Sequence, residues 1–564
     1  MLQNCHTLPI FKLIAPLFFM TLMSFAQVLA EEGALSATNA HILRAERALQ
    51  LDEYLVAAIE YRKAAMLSDN IELTRKATHF CFIHKFNDEA LIAAKRWIKL
   101  DKKSDEARVF LGQLYFRLDD LKNSRRQFRR LIRADKKDPS KQFLLLVSYL
   151  TNEQYPKRAD KLMRSLAKPY RDLAMAHFAV AVLALQAGDI EYTKERVIRS
   201  MELDPELGRP KLLYARALMA EGKKDKAISY LEHIIGDSAY PDPDARLELA
   251  SFYMMFGRDE DALSQVNQVL MDYKGRDDAL RLMGIINFRL DRLDAAWGNF
   301  QDLLASGQYQ MDALFNLARI SDYREQYERA VRLYGEVRFG ENAIISQRRA
   351  SVLLAHQLND VESAMNLLEA FAETSPNFAI EVITLKAQLL VSLKRYEEGM
   401  GLYEKVIEFR PDNESLFLSL AEIMLRIGRI DESIIAYRNA VKRRPDSALA
   451  LNALGYTLAD HTNQFFESEE LIRKALVLEP ENPAIIDSLG WILYKTGRYE
   501  EALVELRRAY ELLPDHEVAS HIVEVLVELE QYDEALQVLE SAEKSILESE
   551  LLKNVRDRYF SEKP

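Results

Sequence analysis

From about residue 35 to residue 545 the chain is written in one hydrophobic rhythm. Apolar side chains recur at intervals of three and four over stretches of roughly 12 to 14 residues, which predicts amphipathic α-helices throughout and no strands. Short polar turns such as "KTGRY" (495–499) and "RIGRI" (426–430) separate the stretches.

The rhythm has a longer period. From Gly490, steps of 33 to 35 residues reach Gly455, Ala421, Ala387, Val352, Ala318, Gly284, Ala250, Ala215, Ala181, Val147, Gly112, Thr78 and Ala45, and one step forward reaches Val523. Twelve residues after each of these anchors, or thirteen after Gly455, stands a small residue: Ala57, Ala90, Ser124, Ala159, Thr193, Ala227, Ala262, Ala296, Ala330, Ala364, Gly399, Ser433, Ser468, Ala502 and Ala535. An aromatic often follows one helical turn later, as at Tyr61, Phe128, Phe300, Tyr334, Tyr403 and Tyr437. Pro376, Pro411, Pro445, Pro480 and Pro514 end the later units, since proline lacks an N–H and clashes with the preceding turn.

Each unit therefore reads as a helical hairpin, helix A followed by helix B, in which small residues let the two backbones approach. One hairpin cannot bury its own apolar face; stacked hairpins can. The spacing, with "LG", Ala502 and Pro514 in "DSLGWILYKTGRYEEAL" and after it, resembles the tetratricopeptide repeat family, and the resemblance implies an all-α, right-handed superhelical solenoid. About fifteen repeats are expected over residues 31–545, in one array, with 546–564 as a C-terminal helical cap or tail. The anchors Val147, Val352 and Val523 depart from the family pattern, and less regular units are expected there.

Trp491 lies one residue past Gly490, about 100° further around the helix. Asp487, Trp491, Tyr494 and Lys495 then share a stripe, which in tetratricopeptide arrays lines the concave channel, and Asn452, Tyr456 and Asp460 repeat it one unit earlier. Aromatic rings among mixed polar groups have the composition of an interaction hot spot. Packing on the next helix A is the other role such rings could serve. A second candidate is a carboxylate clamp of Arg281, Arg319 and Arg349, inward-facing in successive units, with Asn316 nearby.

The net charge of −12 is unevenly spread. Twelve acids face one base, Lys544, between Glu511 and Glu550, whereas Lys122, Arg125, Arg126, Arg129, Arg130, Arg133, Lys136 and Lys137 form a basic run. In an acidic chain that run reads as a solvated outer helix face, and no nucleic-acid partner is expected. His79 and Cys81 diverge by about 200° on a helix and His84 lies about 140° from His79, so they cannot converge on a metal; a buried cysteine beside two surface histidines is expected. With no phosphate loop, nucleophile elbow or dinucleotide fingerprint, neither catalysis nor a cofactor is expected.

At the N-terminus, Lys12 precedes "LIAPLFFMTLMSFA", and "VLA" before "EEG" has the layout of a secretory signal cut near Ala30, so residues 1–30 are expected to be a signal peptide and the chain to be exported. Cys5 would leave with it and Cys81 would remain alone. "ALNALGYTLADHTNQFFESEELIRKAL", "NPAIIDSLGWILY", "PDHEVASHIVEVL" and, upstream, "DALFNLARISDYREQYERAVRLYGEV" resemble the bacterial outer-membrane lipoprotein adaptors that bind a periplasmic carboxyl-terminal processing protease. The resemblance implies a noncatalytic scaffold whose partners are that serine protease and peptidoglycan hydrolases. Those adaptors carry a lipid-accepting cysteine at the signal junction; this sequence has "FAQVLAEEG" there, so soluble periplasmic residence is expected. Two other classes remain open: a scaffold of envelope assembly or polysaccharide export, and an enzyme with an unfamiliar site.

Overall fold

The computed structural model describes residues 37–51, 53–134, 138–236, 242–545 and 549–560. The expected signal peptide lies outside them, as do 546–548 and 561–564 of the tail. Among the described residues there are 31 α-helices and no β-strand. Contacts divide the chain into two compact units, Met1–Asn377 and Phe378–Pro564. Within each unit, helix A packs against its own helix B and helix B against the next helix A.

Close approach of A to B organises every hairpin. The fourteen non-glycine small residues twelve or thirteen positions past the anchors are all wholly buried, and Gly399, the fifteenth, is buried too. At Gly490 an added Cβ would lie 2.5 Å from Leu506 Cγ; at Gly112 it would lie 2.3 Å from the Phe128 ring. Serine adds a bond that size alone did not foretell: the Ser124, Ser433 and Ser468 hydroxyls donate to the carbonyls of Gly112, Ala421 and Gly455 at 2.7–2.8 Å. The aromatics one turn later, Tyr61, Phe128, Phe300, Tyr334, Tyr403 and Tyr437, are all buried.

The A–B turn recurs in twelve of the hairpins. It passes through the left-handed region at Gly188, Gly222, Gly257, Gly428 and Gly497, where glycine pays no Cβ penalty. Lys85, Asp119, Asp291, Glu325, Asn359, Lys394 and Glu530 hold the same conformation at φ 54 to 61° without that freedom. Each late-unit proline stands two residues past the end of a B helix. The Pro411 and Pro480 carbonyls are taken up by Arg443 and Arg508 at 2.6 and 2.7 Å.

The unit anchored on Val352 is irregular. Val352 is only half-buried, and its helix, Ala343–Val352, runs into a π-helical turn over Leu353–Gln357, with the Leu358 amide bonded to the Leu353 carbonyl at 3.0 Å. Val147 and Val523, by contrast, are buried within regular α-helices. At the far end, Glu550–Tyr559 packs on His516–Glu528 and buries Leu552 and Val555.

Two outcomes are expected. Lys394→Gly should stabilise the chain by about 1 kcal/mol, the left-handed penalty less glycine's added unfolded entropy, seen as a raised urea midpoint. Gly490→Ala should lower that midpoint by the equivalent of about 1–3 kcal/mol, because overpacking against Leu506 outweighs the roughly 1 kcal/mol gained in helix propensity.

Candidate partner-binding surface

The second unit's helices Ala448–His461, Pro483–Lys495 and His516–Glu528 are the A helices of successive hairpins, and the middle one packs against both others. Their packing brings the predicted stripe together. Trp491 is 8% exposed, and its indole Nε1 donates to Asp460 Oδ1 at 3.2 Å. Its ring stacks on Tyr494, centroids 5.1 Å apart, and on His521 at 4.2 Å. The Lys495 ammonium sits 4.9 Å from the Trp491 ring and 3.4 Å from Asp460 Oδ1.

Trp491 is thus packed on the next helix A and supports the patch from beneath. Tyr494, Lys495 and Asp460 are half-buried and form its accessible part. Tyr456 donates to Glu517 at 3.1 Å, reaching past the middle helix to the third, and burial raises its phenol pKa above the ordinary value. Asn452 is half-buried, and its Oδ1 is shielded from solvent with no hydrogen-bond partner.

Beneath the patch, His521 Nδ1 pairs with Asp487 Oδ1 at 2.9 Å, both side chains buried. Burial alone would push the imidazole pKa down; the Asp487 bond and the fields of Asp487, Glu517 and Glu524 outweigh it, and the pKa lies above its usual value. Glu524 is raised chiefly by burial, against the opposing charges of His521, Arg558 and Lys495. Neither His521, Glu517 nor Glu524 was singled out from the sequence. The available signal was spacing: His521 falls 34 residues after Asp487, one repeat along, in "PDHEVASHIVEVL".

The arginine clamp is not available as expected. Arg281 is paired with Asp312 at 2.8 Å, and Arg349 holds Asp322 through two bonds of 2.6 and 2.8 Å. Arg319 donates to Asn316 Oδ1 at 3.2 Å and lies over the Phe288 ring at 4.5 Å. At Arg281 and Arg349, carboxylates of the chain itself have taken the place of the ligand. The histidine expectation also needs correction. His79 is half-buried and bonds Glu106 at 3.0 Å, but His84 is only 2% exposed, among the rings of Tyr54, Phe80 and Phe86. Cys81 is buried, and burial pushes its thiol pKa up. No cluster able to hold a metal occurs among the described residues.

Comparison with known proteins agrees with the hairpin geometry. Family profiles described as tetratricopeptide repeat match residues 105–138, 212–279, 380–413, 418–483 and 493–556. This is a tetratricopeptide repeat protein. It is similar to a TPR repeat-containing protein of Pseudomonas aeruginosa, 35% identical over 216 residues, which are 38% of this chain and 36% of that one. It is also similar to the TPR repeat-containing protein YpiA of Bacillus subtilis, 22% identical over 406 residues, 68% of this chain and 82% of the other. The crystal structure of yeast Tom70 aligns with 74% of this chain and 95% of its own at 16% identity and a TM-score of 0.38. The chain spans about a third of the length of the first curated relatives it matches. Repeats of this family make a protein-interaction scaffold, a fold that is typically noncatalytic.

The His521–Asp487 pair makes a pH dependence. Because the folded imidazole pKa is raised, its stabilisation is complete below the unfolded value near 6.5 and is lost as pH rises through the folded value. The urea midpoint should fall across that window in the wild type, and the difference from His521→Gln should shrink as pH rises. Glu524 contributes a fall of the same sign that begins lower, near pH 4.5, and it persists in the variant, where loss of the His521 charge raises its pKa further. Asp487→Ala, which strands a buried imidazole, should cost about 3 kcal/mol near pH 6.

Proposed function

We propose that this chain is a noncatalytic scaffold of the bacterial cell envelope, resident in the periplasm, that holds a carboxyl-terminal processing serine protease together with its peptidoglycan hydrolase substrates. The observation that carries the reading is the patch on three successive A helices. Tyr494, Lys495 and Asp460 stand on a buried Trp491–His521 stack that fixes their positions, and they fall within the stretches that resemble the adaptor's C-terminal repeats. A rigid aromatic platform with one cation and one carboxylate at its rim can grip an extended segment at little entropic cost. The similarity at 35% identity to a bacterial repeat protein is consistent with a bacterial envelope setting.

Held on one scaffold, two partners meet at an effective concentration set by the spacing of their sites, so a slow bimolecular cleavage is accelerated without any chemistry from the scaffold. Purified full-length protein should therefore bind a carboxyl-terminal processing protease and speed its cleavage of a peptidoglycan hydrolase. Tyr494→Ala with Lys495→Glu should weaken binding at least about tenfold, or about 1.4 kcal/mol, while the helical circular dichroism is kept. No binding to any such protease would reject the adaptor role; unchanged binding by the double variant would move the site elsewhere. Binding without faster cleavage would favour an assembly scaffold.

A further inference from the structure

Ion pairing between neighbouring hairpins is the habit of this chain. On outer B helices Arg438 meets Glu467, Arg507 meets Glu534 and Arg62 meets Glu89. The B helix Leu121–Ala134 breaks the habit. It carries Lys122, Arg125, Arg126, Arg129, Arg130 and Arg133 and no acid, and among the described residues none of the six forms an ion pair. Lys122, Arg126, Arg130 and Arg133 are exposed; Arg129 is half-buried, with its Nε shielded from solvent and unsatisfied. Asp120, whose field reaches Lys122 and Arg126, is occupied in capping the helix through Asn123.

The field extends to the neighbouring B helix, Pro156–Ala167, which packs against this one and adds exposed Lys157, Lys161 and, just past its end, Lys168. Equivalent outward positions, two residues past the small residue of each B helix, are Ile92, Arg126 and Lys161. Tyr155, 46% exposed, borders the field on one side and Ile92, 37% exposed, stands at its other edge.

We infer that this outer face of the first unit docks on an anionic phospholipid surface. An array of arginines and lysines that form no ion pair among the described residues fits a fluid layer of phosphate headgroups, which can rearrange to each cation. A folded acidic protein would instead be met by alternating charge that fixes one orientation. Single-stranded nucleic acid is disfavoured because the exposed face of Leu121–Ala134 offers no ring on which bases stack. Tyr155 and Ile92 at the margins are the amphipathic and apolar side chains that settle at a headgroup boundary.

The test is co-sedimentation of the full chain with vesicles of mixed phosphatidylglycerol and phosphatidylcholine, against vesicles of phosphatidylcholine alone. The expected result is binding to the anionic vesicles only, weakening as salt rises. Each near-surface cation contributes about fivefold, so replacing Lys122, Arg126, Arg130 and Arg133 with Ala should lower affinity by about a hundredfold or more. A control chain loses the same charge where cations are already paired, by Arg426→Ala, Arg438→Ala, Arg473→Ala and Lys474→Ala, and should change by less than about threefold. Failure of the unaltered chain to bind anionic vesicles overturns the inference, as does equal loss in both variants. So does tighter binding of poly-glutamate or duplex DNA than of the vesicles, which would assign the face to an acidic protein or to nucleic acid. None of these outcomes bears on protease binding by the second unit.

Discussion

Everything in this molecule depends on how closely helix A can approach helix B. The small residue of each B helix is buried, and the facing Gly112, Gly284, Gly455 and Gly490 are so near that a single added carbon would overlap Phe128, Phe300, Ile472 or Leu506. Contact at that distance lets the larger residues one turn away close around it, and the hairpin becomes a wedge of defined thickness. Wedges of one thickness stack. Where the anchor is the half-buried Val352, the helix changes its hydrogen-bond pitch and runs on as a π-turn.

Stacking at a constant repeat creates a second layer of specificity. Polar side chains separated by about one repeat come face to face, and they are matched: Trp491 with Asp460, His521 with Asp487, Arg281 with Asp312, Arg117 with Glu153. Charges so close to a neighbour are met within the chain, which is why Arg281 and Arg349, two of the three arginines that looked like a clamp for a foreign carboxylate, are already paired, and Arg319 is held by Asn316 and Phe288. The same rule gives the patch on the second unit its character. Its deepest pair is neutralised internally, and the polar groups left at its rim, Lys495 and Tyr494 among them, are those a partner can still reach. The Leu121–Ala134 helix draws its interest from being the exception, six cations that the neighbouring hairpins leave unmatched.

An interaction scaffold works through its surfaces. A buried imidazole stacked on an indole, with an aspartate on one side and glutamates around it, rigidifies three helices at once, and rigidity is what lets a shallow surface discriminate between partners. Two surfaces in different units make use of different forces: a small, preorganised aromatic and polar platform in one, a diffuse positive field in the other.

The linear sequence by itself determined the helices, their pairing into hairpins, the anchors and the small residues, because a period of 33 to 35 residues with helical periodicity inside it admits one kind of packing. It also placed Asp487, Trp491, Tyr494 and Lys495 on a common stripe, since that needs only 100° per residue. It could not say that Trp491 is covered, that His521 lies against it, or that Arg349 is held by Asp322. Those facts depend on which side chain of the next repeat arrives opposite, and that is set by the angle and offset at which one hairpin stacks on another. A helical period locates a residue on its own helix; only the tertiary structure decides what stands across from it.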